Sequence, residues 1–443
     1  MRKPLQLKPA FIERMQKLLS PADYGRYKKS LGEKPAVSFR CNTLKISSEK
    51  LKKRLEDMGW KISQPWKDYQ EVFVVEGKYV SKKEADEIEK KLMNKKINVN
   101  IRKNLNYGEA LVLENDKNNH INKNGSKNKV LTINNEYASK ANLSFRRASE
   151  SEQILIHLEP GELGRSLEHL LGYYYIQDLA SMLPVLVLEP KPNELVLDLC
   201  SSPGSKTTQI ASCMENKGTI IANEVSLSRI KILASNLERC GCSNTIITRK
   251  DGIALCKRFK NMNESASFGG NEKMQEDAEF IKSEGFLSEP FGGKEKVQLD
   301  AGSKTRRRFL FDRILIDAPC SGEGTLRSSP KTALMWNPHT IKSLSKLQKP
   351  MVESALDILK PNGIIVYSTC THAPEENEEV LDYILNKFPN VKIESIKLPL
   401  KCRPGVVGWE NHKFNSEVTK SCRIYPHDTE TEGFFVARLR KIK

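Results

Sequence analysis

The sequence predicts an α/β protein: a mostly parallel, doubly wound sheet of seven strands with helices on both faces, preceded by a small α+β domain. Three observations carry that prediction. From about residue 179 onward, short apolar β-branched runs alternate with helical periodicity, the pattern of a parallel sheet built from crossover units. Two of those runs, Asp312-Arg-Ile-Leu-Ile-Asp-Ala-Pro-Cys-Ser-Gly-Glu-Gly324 and Gly363-Ile-Ile-Val-Tyr-Ser-Thr-Cys370, stop abruptly on a cysteine. Upstream, residues 36–75 read strand, helix, strand.

In order, residues 10–33 show helical spacing of Phe11, Met15, Leu18 and Leu19, broken at Ser20-Pro21. A strand is expected at Ala36–Leu44, then a helix capped by Ser47 or Ser48 and carrying Leu51, Leu55 and Met58, then a strand at Glu71–Val75. Residues 81–150 turn Asn/Lys-rich, as in Lys117-Asn-Asn-His-Ile-Asn-Lys-Asn-Gly-Ser-Lys-Asn-Lys129. Such text buries too little apolar surface to offset ordering entropy, so a long, partly ordered insertion is expected. A folded accessory module is the alternative, on Ala110–Leu113 and Val130–Ile133. Order resumes at Ile154–Leu158, and a domain boundary is expected between residues 163 and 164.

A helix over Leu179–Leu188, stopped by Pro190 and Pro192, leads into the alternating part. Its strands are expected at Leu195–Leu199, Thr219–Val225, Thr245–Arg249, Arg313–Ile316, Gly363–Ser368, Val391–Ile396 and Gly433–Leu439. A second polar insertion, 257–308, should loop out at modest free-energy cost and ends in Arg306-Arg-Arg308.

Lys and Arg number 72 against 55 Asp and Glu, a net charge of +17. That excess attracts polyanions such as nucleic acid through counterion release, although solvated charge in the insertions could supply much of it. The chain has no apolar run of membrane length and no recognisable leader, so a soluble cytoplasmic protein is expected. Ten cysteines without a CxxC pair argue against a disulfide scaffold or a zinc site, and no metal is expected. Cys240-Gly-Cys242 falls where a helix should end.

Residues at the carboxyl ends of strands in an open α/β sheet line the ligand crevice, so Cys320 and Cys370 should face one space. Leu197-Asp-Leu-Cys-Ser-Ser-Pro-Gly-Ser-Lys-Thr207 reads strand, tight turn, helix, and offers free N–H groups at the helix start. It matches neither the dinucleotide fingerprint nor the phosphate loop, which disfavours NAD and ATP. Glu224, ending the next strand, could accept from two ribose hydroxyls, and Asp251, after the third, from an adenine amine. Each alone is better read as a helix cap or loop acid. Together they make a nucleoside-shaped rim.

These residues resemble the NOP2/Sun family of RNA cytosine-5 methyltransferases. The resemblance rests on the 197–207 motif, Asn223-Glu224 with Arg229, Asp317-Ala-Pro-Cys-Ser-Gly322, Tyr367-Ser-Thr-Cys370 and Pro374-Glu-Glu-Asn-Glu378. Phe39-Arg-Cys-Asn-Thr-Leu44, Gly172-Tyr-Tyr-Tyr-Ile-Gln-Asp178, Arg423-Ile-Tyr-Pro-His427 and Glu432-Gly-Phe-Phe-Val436 extend it over nearly the whole chain except the insertions. It implies a Rossmann-like catalytic domain over 164–443 behind an RNA-contacting domain over 1–163, with S-adenosylmethionine as cofactor and an RNA cytosine as acceptor. By the same match, Cys200, Ser201, Ser202, Pro203, Gly204, Ser205, Lys206, Glu224, Arg229, Asp251 and Asp317 hold the cofactor, with Cys370 as nucleophile. Ser205 stands where the family's motif has glycine.

Cytosine C5 is too electron-poor to displace a methyl unaided, so a thiolate adding at C6 is required first. Cys370 is expected in that role, favoured as thiolate by a helix beginning near Pro374 and opposed by Glu375 and Glu376. Asp317 is expected to share a proton with N3, and Cys320 to remove the C5 proton. Cys41, Cys213, Cys256, Cys402 and Cys422 are expected as small buried hydrophobes, and His372 and His427 as ordinary core or loop histidines. Arg40, Lys45 and Tyr173–Tyr175 are expected RNA contacts, the tyrosine run also being read as packing. The Leu163–Gly172 lead-in resembles archaeal tRNA enzymes, making tRNA the first choice of partner, ribosomal RNA the second and a monomer the expected state. A ribosome-assembly factor with a vestigial catalytic domain, or a DNA substrate, are the other readings.

Overall fold

The computed structural model describes residues 5–81, 98–102, 129–134, 146–147, 153–156, 160–265 and 309–442. Two compact units emerge, one built on Gly32–Ile176 and the other on Gln6–Leu31 with Gln177–Lys443. The division therefore differs from the expected one at both ends. Residues 164–176 stay with the first unit because Tyr174–Ile176 pairs antiparallel with Val37–Cys41, setting Phe39 opposite Ile176 and Cys41 opposite Tyr174. Helices α1 (Pro9–Leu18) and α2 (Pro21–Ser30) join the second unit, where Arg14 forks onto Glu375 at 2.9 and 2.7 Å and Asp23 receives Arg403 at 2.7 and 3.0 Å. These partners lie more than 350 residues apart, beyond the reach of any local pattern.

The first unit is a six-stranded sheet whose central members are Val37–Cys41 and Val72–Ser81. One helix, Ser48–Asp57, is capped by the Ser47 hydroxyl, which accepts from the Lys50 N–H, and it buries Leu51 and Leu55. Phe39, Trp60, Phe73 and Tyr174 complete that core. Arg40, expected at the RNA, is buried at 2% exposure and is removed from the surface candidates. Tyr174 and Tyr175 are buried too, and the Tyr174 hydroxyl donates to the Leu163 carbonyl at 2.8 Å, so packing is their part. Lys45 is exposed, while Tyr173 is half-buried under the Arg54 guanidinium. Within the first insertion, Asn98–Arg102 pairs with Lys129–Asn134; Ala110–Leu113 lies outside the described residues.

The second unit carries α3 (Leu179–Leu188), β1 (Leu195–Asp198), α4 (Ser205–Cys213), β2 (Thr219–Asn223), α5 (Leu227–Cys240), β3 (Thr245–Thr248), α6 (Gly252–Ser265), β4 (Phe311–Asp317), α7 (Pro338–Asp357), β5 (Leu359–Thr369), α8 (Glu378–Lys387), β6 (Val391–Glu394), β7 (Arg403–Pro404), β8 (Cys422–Ile424) and β9 (Phe434–Lys441). Its nine strands run β3-β2-β1-β4-β5-β9-β8-β7, with β6 also on β9. The first five are parallel; β9 is antiparallel to β5, and β8 and β6 take successive stretches of its other edge. All seven expected strands are present, joined by the short β7 and β8.

Helices α6, α7 and α8 pack on one face through Leu255, Phe259, Val352, Ala355, Val380 and Ile384, while α3 packs over β4, β5 and β9. Covering both faces explains why these strands read as unbroken apolar runs rather than alternating ones. Helix α5 ends at Gly241 (φ 73°), a left-handed position that glycine accepts without strain, as the Cys-Gly-Cys spacing led one to expect. Helix α6 continues to Ser265, so residues 257–265 of the expected second insertion are helical; 266–308 lie outside the described residues. Among the described residues no helix is long and apolar enough to cross a membrane.

Candidate active site

Four neighbouring strands, β3, β2, β1 and β4, each end in or just before a carboxylate: Asp251, Glu224, Asp198 and Asp317. Asp198 is fully buried, accepts from the Thr207 hydroxyl at 2.7 Å, and has its other oxygen, Oδ1, buried without a partner. Burial pushes its acid constant up to about 7. Glu224 is 3% exposed, accepts from the Ser226 N–H at 2.9 Å and lies 3.2 Å from the Arg229 guanidinium. Asp251 is exposed and caps α6, accepting from the Ala254 N–H at 3.0 Å.

Between β1 and α4 the chain makes a tight turn through Cys200, Ser201, Ser202, Pro203 and Gly204. Ser201 bonds the Asn223 carbonyl with both its N–H and its hydroxyl, at 2.9 and 2.8 Å. Ser202 and Arg229 exchange bonds, hydroxyl to the Arg229 carbonyl at 3.0 Å and guanidinium to the Ser202 carbonyl at 2.7 Å. Gly204 takes the left-handed conformation (φ 104°), and a Cβ there would sit 3.1 Å from Leu233 Cδ1. Ser205 is the first helical residue, so the glycine that the turn requires is retained and the serine substitution falls on an undemanding position. Burial pushes the Cys200 thiol well above its ordinary value.

Lys206, expected among the cofactor residues, reaches the Asp317 carboxylate at 2.8 Å and the Ser181 hydroxyl at 3.0 Å, above the Phe434 ring. The other Asp317 oxygen accepts from the Ser368 hydroxyl at 2.8 Å. Both Asp317 oxygens thus have a donor, one of them the cationic Lys206. That pairing joins the first turn of α4 to the last residue of β4, and no spacing in the sequence signals it.

Cys320 lies on the loop after β4 and Cys370 immediately after β5, and these strands pair with Asp317 opposite Ser368. Their sulfurs are 3.1 Å apart, and the Cys370 N–H points at Cys320 Sγ at 3.3 Å. The hydrogen bond to Cys370, then burial, push the Cys320 thiol well above its ordinary value.

The loop is held from both sides of Cys320. Gln348 donates to the Pro319 carbonyl at 2.8 Å and to Glu376 at 2.9 Å, and the Glu376 carboxylate accepts from the Ser321 N–H at 3.1 Å. Glu376 is fully buried and its acid constant is pushed up to about 7 by that burial. The helix expected to start near Pro374 is instead a single 3₁₀ turn, Pro374–Glu376, with α8 starting at Glu378. The α-helix start expected beside Cys370 therefore lies further along the chain than the sequence suggested.

His372 is buried and His427 half-buried with its side chain enclosed; His372 stacks on Tyr425 and its acid constant falls to about 3 through burial. Cys41, Cys256 and Cys422 are buried, but Cys213 is exposed and Cys402 half-buried, against the expectation for both.

Close backbone contact fixes the two thiol loops together. The Gly324 N–H donates to the Cys370 carbonyl at 2.8 Å, and a Cβ on Gly324 would lie 2.1 Å from the Gly433 carbonyl oxygen. Gly324→Ala is expected to cost about 3 kcal/mol or more, since backbone must move to admit it, and thermal denaturation would measure the loss.

The row of carboxylates and the start of α4 suit a ligand rich in donors that carries one carboxylate. Amine and vicinal hydroxyls meet acceptors, and a carboxylate meets the positive end of the helix. S-adenosylmethionine has that donor set, and its positive charge matches the acidic row.

A family model described as 16S rRNA methyltransferase RsmB/F matches residues 185–264 and 294–440. The tRNA (cytosine(49)-C(5))-methyltransferase of Pyrococcus abyssi (strain GE5 / Orsay) is 39% identical over 278 residues, which are 63% of this chain and 73% of that one. The ribosomal RNA small subunit methyltransferase F of Aliivibrio fischeri (strain MJ11) is 36% identical over 282 residues, 63% of this chain and 48% of its own length. The chain thus spans about half the length of that bacterial relative. In fold it is similar to NSun6 from Pyrococcus horikoshii, solved with SFG, at a TM-score of 0.62 and 24% identity, covering 100% of both chains. A methyltransferase homolog protein from the same organism gives 0.58 at 24% identity over 98% of this chain and 100% of that one.

Proposed function

The chain belongs to the RsmB/F methyltransferase family, and on that premise we propose that it transfers a methyl group from S-adenosylmethionine to C5 of a cytosine in RNA. The observation that carries this reading is the pair of thiols 3.1 Å apart on adjacent strand ends, beside the row of carboxylates. S-adenosylmethionine, when bound, supplies an electrophilic methyl. Cys200 to Gly204, Ser205, Glu224, Arg229 and Asp251 would hold it.

In this reading Cys370 adds to C6 of the base, forming the C6–S bond and moving electron density toward N3 and O2. Lys206, held by Asp317 and Ser181, donates to that developing charge, which a fixed cation in a dry site stabilises strongly. C5 is then nucleophilic enough to take the methyl. Cys320, after losing its own proton to solvent, takes the proton from C5; the electron pair of that C–H bond reforms the C5–C6 double bond, and the C6–S bond breaks to release Cys370 as a thiolate. Glu376 and Gln348 hold the Cys320 loop in position throughout. A target base must be flipped out or already unpaired to enter.

The acceptor is proposed as tRNA, on the Leu163–Gly172 lead-in and the extent of the match to the archaeal enzyme; ribosomal RNA is favoured by the bacterial relatives instead. Incubation with tritiated S-adenosylmethionine and separated tRNA and ribosomal RNA, followed by bisulfite sequencing, tests both parts. One protected cytosine in tRNA is the expected result. Label at any other atom or on DNA would overturn the reaction, and label on ribosomal RNA alone would overturn the substrate.

A further inference from the structure

A second pair of thiols lies in the same unit, apart from Cys320 and Cys370 and from the carboxylate row. Cys402 Sγ and Cys422 Sγ are 3.1 Å apart. Cys402 precedes β7 by one residue and Cys422 opens β8; the two strands pair antiparallel, with Arg403 opposite Arg423 and Pro404 opposite Cys422. The pair closes a loop holding the small ladder Gly408–Trp409 with His412–Lys413 and the 3₁₀ turn Ser416–Lys420. The ladder between β7 and β8 is only two residue pairs long, so a covalent link here would add to a weakly fastened edge.

Access and reactivity differ between the two sulfurs in the way a redox pair requires. Cys402 is half-buried and reachable from solvent, whereas Cys422 is 4% exposed. The two sulfurs share one hydrogen bond, and their contact lowers the Cys402 acid constant to about 7 while it raises that of Cys422. A thiolate on the accessible member and a thiol behind it make an attacking and a resolving cysteine.

We propose that Cys402 and Cys422 form a redox-active pair that closes to a disulfide on meeting a small disulfide oxidant, stapling β7 to β8. With oxidised glutathione, the Cys402 thiolate attacks one sulfur, forms the mixed disulfide and expels one glutathione thiolate. Cys422 then loses its proton and attacks the Cys402 sulfur, expelling the second glutathione. The pair gives up two electrons, and two protons end on the two reduced glutathiones. Next to the staple, Arg403 holds Asp23 of α2 and Asp428 at 2.6 Å, so closure also secures the strand that anchors α2. This inference does not depend on methyl transfer or on any RNA.

The test uses the full chain treated with oxidised glutathione, and the same chain treated with dithiothreitol. Peptide mapping without reduction should give a cross-linked species joining the Cys402 and Cys422 peptides, and the oxidised protein should melt about 5 °C or more above the reduced one. Cys402→Ser, at a half-buried position, should fold and lose the difference; Cys422→Ser should do the same. In the double variant Cys320→Ser, Cys370→Ser the difference should persist. The proposal is overturned if the map shows Cys402 and Cys422 separately glutathionylated or alkylated after oxidation. It is equally overturned if the melting difference survives Cys402→Ser or vanishes with the catalytic-pair variant.

Discussion

Replacing Cys320 with alanine is expected to leave the protein covalently attached to its RNA. Addition through Cys370 and methylation need no base at Cys320, but release requires the C5 proton to leave first. The adduct should survive a denaturing gel, and multiple turnover should fall by roughly 10³-fold. Cys370→Ala should give no adduct under the same conditions and no turnover. The opposite behaviour of the two variants would exchange the assigned roles. In the unmutated protein, release measured in a single turnover should speed up as pH rises. The hydrogen bond to Cys370 and burial hold the Cys320 thiol above its ordinary value, so its basic form becomes available only toward higher pH. A release rate that fell with pH would contradict Cys320 as the base.

The second large effect is expected at Lys206. Its Nζ lies 2.8 Å from Asp317, the last residue of the strand that leads into the Cys320 loop, and in the proposed reaction it faces the charge that develops on the base. Removing a fixed cation from such a place costs about 10²–10³-fold in rate. Lys206→Ala should therefore lower kcat by that factor while S-adenosylmethionine affinity, followed by calorimetry, changes far less. Lys206→Arg, which keeps the charge but alters its reach, should recover part of the rate. Affinity lost together with an unchanged kcat at saturating cofactor would return Lys206 to the cofactor set that its motif suggested.

What the sequence made legible was what depends on strand periodicity. Each run from Leu195 to Leu439 had the apolar, β-branched character of a strand covered on both faces, and the crevice follows from where parallel strands end. Cys320, Cys370, Asp317, Glu224 and Asp251 could thus be placed before any coordinates. Most of the misses were long-range. Arg14 to Glu375 and Asp23 to Arg403 carry α1 and α2 into the second unit, and Tyr174–Ile176 is drawn into the first by pairing with Val37–Cys41. Arg40 has the composition of a surface contact but is buried in the first unit. The Lys206–Asp317 pair, the hold of Glu376 on Ser321 and the approach of Cys402 to Cys422 each join loops whose sequences carry no mark of the other. Pro374 was read as a helix start because proline suits a first turn, yet the turn closes as 3₁₀ and the helix waits for Glu378.

The most direct test is the attachment site in the RNA adduct of the Cys320→Ala protein. After nuclease and protease digestion, mass spectrometry should find a methylated cytidine nucleotide on the peptide that contains Cys370 and on no other. A nucleotide carried by any other residue, or one lacking the methyl group, would contradict the account.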